Sequence, residues 1–369
     1  MAVEERSSGI GVDAPQDVLA AVAAGRTLPY AWYVDPTMLA IERERIFAHH
    51  WTYVARTEQL AREGDFVRAS VGGISLVLTR DAAGELHALH NVCRHRGSEV
   101  VAESSGCRKT LQCGYHAWTY GLNGQLLSAP RAKDEIGFRI EDHRLPAAQI
   151  DTFGPFVFVN LDLGAPPLEA FLGPLPGIIA STGVQFDRLR RHEQREYVVK
   201  SNWKVVVENF LECYHCPVAH PSFGDVIDLD TYEITEFEWT STQRGDPYGA
   251  SADEVDQMQV KEGRYNFLFP TFMLNIYPGS GNVSTNLILP VDAETTLAVY
   301  EFFYDDSTPA AEASATTDLI HQVMVEDVEL CESVQRGMRS GSARSGTLML
   351  RHEHAISHFQ QLVARVLLQ

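Results

Sequence analysis

The chain has 369 residues, of which 45% are hydrophobic and 21% charged, and a formal net charge of −19. That length usually holds two domains, each able to bury a core. The acidity argues against nucleic acid, whose phosphates call for a basic face, and no apolar run is long enough to cross a bilayer; it would suit docking to a basic redox partner, though solubility alone accounts for it.

Taken in order, the start Met1-Ala2-Val3-Glu4-Glu5-Arg6 lacks the layout of a signal peptide and reads as a loose lead-in. Residues 35–48 predict a helix running into strand character at Trp51-Thr52-Tyr53-Val54. From 66 to 92 the pattern is β, with residues 74–79 and 86–92 on either side of a turn at 81–84. Two short strings follow, Cys93-Arg94-His95 and Cys113-Gly114-Tyr115-His116, with 17 residues between His95 and Cys113. Next come Trp118-Thr119-Tyr120, the hairpin signal Asn123-Gly124, and the strand-like run 156–161 after Gly154-Pro155. These elements predict a small all-β unit with both Cys/His pairs at hairpin tips, and the Gly- and Pro-containing stretch 164–177 predicts a linker.

Two thiolates and two imidazoles, one of each per loop, are the donor set of a Rieske [2Fe-2S] centre, in which cysteines hold one iron and histidines the other. Structural zinc is the competing reading, but zinc fingers usually group both cysteines together and both histidines together. The other cysteines, Cys107, Cys213, Cys216 and Cys331, are scattered and form no disulfide framework. That pattern predicts a reducing, cytoplasmic compartment.

In the second half, 202–221 reads as a helix up to Tyr214, with Glu212 and His215 sharing a face at i, i+3, then broken by Pro217. The break would let His220 swing back toward His215. Two histidines near a proline are by themselves more often packing or capping residues. Beside an electron-delivering cluster, however, two imidazoles plus a carboxylate would make a facial triad at ferrous iron with positions open for oxygen. Residues 348–368 read as an amphipathic helix, whose His352, His354 and His358 are assigned to surface or packing roles. Residues 265–277 alternate like a central sheet strand.

With both motifs in this order, the chain resembles the oxygenase α subunit of the Rieske non-haem iron oxygenases, or aromatic-ring-hydroxylating dioxygenases, over nearly its whole length. The resemblance implies an α+β fold: a 1–46 helical segment packing on the catalytic domain, a 47–160 all-β Rieske domain, and a 161–369 catalytic domain with an antiparallel sheet flanked by helices. It implies Cys93, His95, Cys113 and His116 as [2Fe-2S] ligands, and His215, His220 and, far downstream, Asp327 as ligands of mononuclear Fe(II). The acidic neighbours of Asp327, Glu326 and Glu329, read as solvated. Glu212 falls where the family places a bridge between the two redox centres of adjacent subunits in a homotrimer.

Most ring-hydroxylating members have aspartate at that position. Glutamate resembles the branch acting on quaternary ammonium compounds such as carnitine, choline and betaine, so the expected reaction is monooxygenation with C–N cleavage. An aromatic box would hold such a cation, with candidate walls Phe210, Tyr214, Phe237, Trp239, Tyr265, Phe267, Phe269, Phe272 and Tyr277. Arene hydroxylation is the alternative, and an electron-transfer Rieske protein without catalytic iron is a further one. No nucleotide-binding glycine motif follows a strand. Electrons would therefore come from NAD(P)H through a separate reductase or ferredoxin, and the other partners would be O2 and a small-molecule substrate.

Overall fold

The computed structural model describes residues 15–368, so the lead-in at residues 1–6 lies outside the described residues. Three short helices come first, Pro15–Ala23, Ala31–Val34 and Pro36–Glu42. Asp35 caps the third by accepting from Thr37 N at 2.8 Å, with Pro36 in the first turn. A π-helical turn, Arg43–Phe47, ends this segment. Trp32, Tyr33, Met38, Leu39 and Ile46 enter the same core as Trp203, Phe267, Phe302 and Phe359, so the N-terminal helices pack on the second half of the chain.

The first β layer contains β1 (Thr52–Arg56), β2 (Asp65–Val71), β3 (Ile74–Arg80), β4 (Leu86–His90) and β5 (Ser105–Cys107), then β6 (Leu111–Gln112), β7 (Thr119–Tyr120), β8 (Leu126–Ser128), β9 (Ala147–Phe153) and β10 (Phe156–Asn160). One antiparallel sheet runs β1-β10-β9-β4-β3-β2-β5, and β6-β7-β8 form a second. Strand β10 is buried on both faces. Its alternation sends Val157 and Val159 into the β-domain core and Phe156 and Phe158 into the large core of the second half. The expected linker is more structured than its glycines and prolines suggest. Residues 168–172 and 175–181 form two short helices, because Leu168, Phe171, Leu172, Leu175 and Ile179 fall at helical spacing and bury in the large core.

The second layer is a seven-stranded antiparallel sheet of β11 (Leu189–Val199), β12 (Ile227–Glu236), β13 (Thr240–Pro247), β14 (Gly263–Leu268), β15 (Phe272–Ile276), β16 (Val283–Asp292) and β17 (Thr295–Asp305), in the order β11-β17-β16-β15-β14-β13-β12. The single strand expected over 265–277 is a hairpin instead: Pro270 removes a ladder donor, and the chain turns between β14 and β15. Helices Trp203–Phe210, Ala310–Arg339 and His354–Leu368 pack against this sheet. The α+β architecture is therefore an all-β layer followed by an antiparallel sheet with helices. No helix among the described residues is long and apolar enough to cross a membrane.

The helix Trp203–Phe210 is tied to the N-terminal segment by a fully buried ion pair between Lys204 and Glu42, whose second oxygen accepts from Trp203 Nε1 at 2.7 Å. Lys204 Nζ also lies 5.0 Å from the centre of the Tyr33 ring. A Lys204→Met variant leaves the Glu42 charge in a dry core, so it should destabilise the fold by about 3–5 kcal/mol in urea unfolding. Adding Glu42→Gln should restore most of that loss. One turn further along the helix, buried Glu208 accepts from Tyr33 Oη at 2.6 Å and from Gln360 Nε2 at 3.0 Å, and Gln360 Oε1 accepts from Leu28 N. Burial pushes the Glu208 carboxyl up to about 7.

Candidate metal centres

The two Cys/His strings fold into two copies of one loop. In the first, Cys93 N donates to Ser98 O at 2.8 Å and Gly97 N donates back to Cys93 O at 3.0 Å. In the second, Cys113 N donates to Trp118 O at 2.9 Å and Ala117 N to Cys113 O at 3.0 Å. The residue four after each cysteine takes a positive φ, 77° at Gly97 and 56° at Ala117. An alanine there carries a backbone cost that glycine avoids, and is held by the surrounding loop. Only the second loop is a hairpin, between β6 and β7; the first lies in the connection from β4 to β5, against the expectation of two hairpin tips.

Asn91 holds the first loop, its Oδ1 accepting from Val100 N and Val101 N at 3.0 and 2.9 Å. Cys93 and Cys113 are buried, while His95 and His116 sit exposed with ring centres 4.6 Å apart. Trp118 stacks on His95 at 5.0 Å. Tyr120 Oη accepts from Arg94 N at 3.0 Å and lies 3.3 Å from Cys93 Sγ. Two buried thiols behind two imidazoles at the rim match the donor set that would hold a [2Fe-2S] cluster of the Rieske type.

The second constellation gathers at the end of the helix Trp203–Phe210. That helix stops at Phe210, four residues short of expectation, so Glu212 and His215 lie in a turn and not on a helix face. The Glu212 carboxylate makes the turn, accepting from Tyr214 N and, at 3.2 Å, from His215 N. A short helix, Cys216–Ala219, then carries the chain to His220. Asp327 reaches in from the middle of Ala310–Arg339.

His215 Nε2 and His220 Nε2 are 3.1 Å apart, and Asp327 Oδ1 lies 2.9 Å from the latter and 3.5 Å from the former. These three residues can each offer one ligand atom to a common ion. Both Nδ1 atoms are engaged elsewhere, His215 with Glu212 and His220 with Glu326 Oε2 at 2.7 Å. Carboxylates at Nδ1 hold the proton there and leave each Nε2 lone pair free, the arrangement a metal-binding imidazole needs. The donor set, two imidazoles and one carboxylate, suits ferrous iron with open positions. Glu326, expected to be merely solvated, is thus the orienting partner of His220. Asn209 Nδ2 likewise donates to Asp327 Oδ1 at 3.0 Å.

Burial by itself would lower the His215 pKa, but Asp327 and Glu212 outweigh it and raise it to about 9. Burial would raise Asp327, whose carboxyl is instead held below its ordinary value by His215 and His220. Protons therefore compete with iron at this site. Iron affinity of the metal-free protein should rise with pH until His215 is neutral near 9 and fall steadily below it, as read by titration calorimetry in several buffers.

Cys213 and Cys216 are joined in a disulfide across the turn, with Cα atoms 4.9 Å apart. The two are therefore not scattered, as the sequence suggests; the turn Glu212 builds brings them together. Cys107 and Cys331 are free. The C-terminal histidines hold no metal geometry: His352 stacks on Tyr214, His354 pairs with Glu236, and His358 is partly buried.

A cavity of about 120 Å³ opens beside the triad, walled by Phe210, Phe223, Tyr232, Tyr265, Tyr277 and Tyr300, with Ile320, Val323 and Met324 closing one side. Of the expected aromatic walls, Phe210, Tyr265 and Tyr277 line it. Tyr214 points outward, and Phe237, Trp239, Phe267, Phe269 and Phe272 lie elsewhere. Tyr232, Tyr300 and Phe223 were not anticipated. Tyr300 shares the buried face of β17 with Ala298 and Phe302, a period-2 signal readable in the sequence.

Comparison with known proteins agrees with this geometry. Residues 50–149 match the Rieske [2Fe-2S] domain and residues 186–369 the ring hydroxylating alpha subunit catalytic domain. The chain is 31% identical over 366 residues to the carnitine monooxygenase oxygenase subunit of Escherichia coli K12, covering 95% of this chain and 96% of that protein. It is 34% identical over 351 residues to the chloroplastic choline monooxygenase of Arabidopsis thaliana, covering 91% and 82%. The solved structure of a quaternary ammonium Rieske monooxygenase, described for carnitine oxidation by gut microbiota and inter-subunit electron transfer, superposes with a TM-score of 0.84 at 30% identity, covering 96% and 100%. A Cys/His loop pair ahead of a His-His-Asp site, matched from end to end by such relatives, places the chain in the family of Rieske non-haem iron oxygenases, as an oxygenase α subunit with a [2Fe-2S] cluster and a mononuclear iron.

Proposed function

We propose that the chain is the terminal oxygenase of a quaternary ammonium or N-methylated compound, which it hydroxylates with cleavage of a C–N bond. The observation that carries this reading is the tyrosine- and phenylalanine-walled cavity beside His215, His220 and Asp327, whose π faces suit a cation that has no hydrogen-bond donor. Relatives acting on carnitine and choline support it. The reaction consumes one C–H bond, O2, two electrons and two protons, and yields C–OH and water; hydroxylation at a carbon attached to nitrogen then collapses to an aldehyde and a smaller amine. Bound iron supplies the activation of O2. The residues around it orient the two imidazoles through Glu212 and Glu326 and hold the substrate against aromatic faces.

In this reading Cys93, His95, Cys113 and His116 ligate the cluster and His215, His220 and Asp327 the iron, in domains of residues 47–160 and 161–369 with 1–46 packed on the latter. Electrons start from NAD(P)H and arrive through a separate reductase or ferredoxin. A cytoplasmic homotrimer would set the cluster of one subunit beside the iron of the next, with Glu212 between His215 and the neighbour's His116. Exposed apolar side chains beside both ends support that contact, Tyr115 next to His116 and Tyr214 and Val218 near Glu212.

The test is substrate-dependent oxygen uptake with a surrogate reductase. Trimethylammonium compounds should drive uptake and release an amine. Uptake with naphthalene or benzoate alone would instead establish arene hydroxylation.

A further inference from the structure

We infer that a small chamber behind Asp327, separate from the aromatic cavity, is a binding site for O2 next to the mononuclear centre. The inference rests on the chain being an oxygenase and not on which organic substrate it takes.

The chamber has a volume of about 30 Å³, against about 120 Å³ for the aromatic cavity. The two share one wall, formed by Asp327, Asn209, Asn286 and Tyr300 together with Phe210 and Met324. Six further side chains line the chamber alone: Val199, Val206, Met273, Ile288, Val328 and Cys331. They converge from β11, the helix Trp203–Phe210, β15, β16 and the helix Ala310–Arg339. All but Val328 are buried. Cys331 follows Asp327 by four residues, so one face of that helix delivers both the carboxylate aimed at the histidines and a wall of the chamber.

Chemistry divides the lining as sharply as position does. Every polar side chain, apart from a thiol, lies on the shared wall, and part of that wall is already committed. Asn209 Nδ2 donates to Asp327 Oδ1 at 3.0 Å, and Asn286 Oδ1 accepts from Asn275 Nδ2 at 3.2 Å. The side away from the iron ligands is hydrocarbon and sulfur. A charged group placed there would give up its hydration for contacts that cannot repay it.

Size excludes the organic substrate as well, since a single water needs roughly 10–15 Å³ and this space holds little more. A water would want two to four polar partners, which the six private side chains do not supply. Small apolar cavities of this kind stay dry and take up apolar atoms and molecules. Among the reactants of an oxygenase, O2 alone is diatomic, uncharged and without a need for hydrogen bonds. Held here, it sits against the wall that carries Asp327 while the organic substrate fills the aromatic cavity, so the two reactants do not compete for one space.

Xenon, an apolar atom that needs no iron chemistry to bind, is the probe. Crystals of the iron-loaded protein pressurised with xenon should show a single peak among Val206, Ile288 and Cys331, and a chamber that stays empty would overturn the inference. In solution, xenon pressure should raise the KM for O2 in uptake assays and leave the KM of the organic substrate unchanged. Val206→Ile adds one carbon to the private wall and keeps the β-branched shape. It should abolish the xenon peak and lower kcat/KM for O2 several-fold, with three irons retained and the KM of the organic substrate as in the parent. A xenon peak without any effect on O2 kinetics, from xenon in the parent or from Val206→Ile, would reduce the chamber to a packing void. A parallel rise in the KM of the organic substrate would make it part of the aromatic cavity. Both outcomes overturn the inference and leave the oxygenase assignment standing.

Discussion

A His215→Ala variant is expected to keep the colour of the cluster and lose all turnover. The two centres share no residue: the loops of Cys93 and Cys113 are built on β4, β6 and β7, whereas His215 sits in the turn after Trp203–Phe210. Removing one imidazole leaves His220 and Asp327, too few donors to hold a labile ferrous ion against water. It also strips Glu212 of the Nδ1 contact it makes within this turn. The parent should contain about three irons and two acid-labile sulfides per chain, and the variant about two irons with unchanged sulfide and an unchanged visible spectrum. A variant that keeps three irons, or any substrate-dependent oxygen uptake, would remove His215 from the mononuclear site.

The second large effect is expected at Glu212, and it should spare both metals. Glu212→Gln preserves the shape and can still accept from the backbone N–H groups of Tyr214 and His215 through one oxygen. Its amide nitrogen cannot accept from His215 Nδ1, so the carboxylate's orienting contact is lost together with its charge. Partners of this kind typically carry 10–100-fold in activity, and if Glu212 also bridges to the neighbouring cluster as proposed, the loss should lie at or beyond the upper end, on the order of 100-fold. Dithionite should reduce the variant's cluster normally. Reoxidation by O2 in the presence of substrate, followed at the cluster's visible band in stopped flow, should slow by that factor. Parent-like reoxidation would reduce Glu212 to a local cap of the turn.

What the sequence disclosed of these sites depended on whether neighbouring residues carried the information. Cys93, His95, Cys113 and His116 were legible because each loop encodes its own geometry within five residues. The identity of the loops went unseen, since Gly97 and Ala117 share a backbone conformation and not a residue type. His215 and His220 stand out only beside the Cys/His loops, since two histidines near a proline are ordinarily packing residues, and the helix ends at Phe210 once the Glu212 side chain satisfies the next backbone donors. Glu326 was passed over, because an acid on a helix is usually solvated and only the fold brings it to His220 Nδ1. The short helices in 168–181 were hidden by flanking glycines and prolines, and the aromatic walls by the fact that β14, β15 and β17 each have two faces.

The carboxyl of Glu208 ties two distant stretches of the chain to the iron site. It is met by Tyr33 from near the start of the chain and by Gln360, nine residues from its end, on the helix that leads into the iron ligands. Deleting the helix His354–Leu368 removes Gln360 from that carboxyl, and iron occupancy should fall even though the cavity beside the triad is lined by none of its residues.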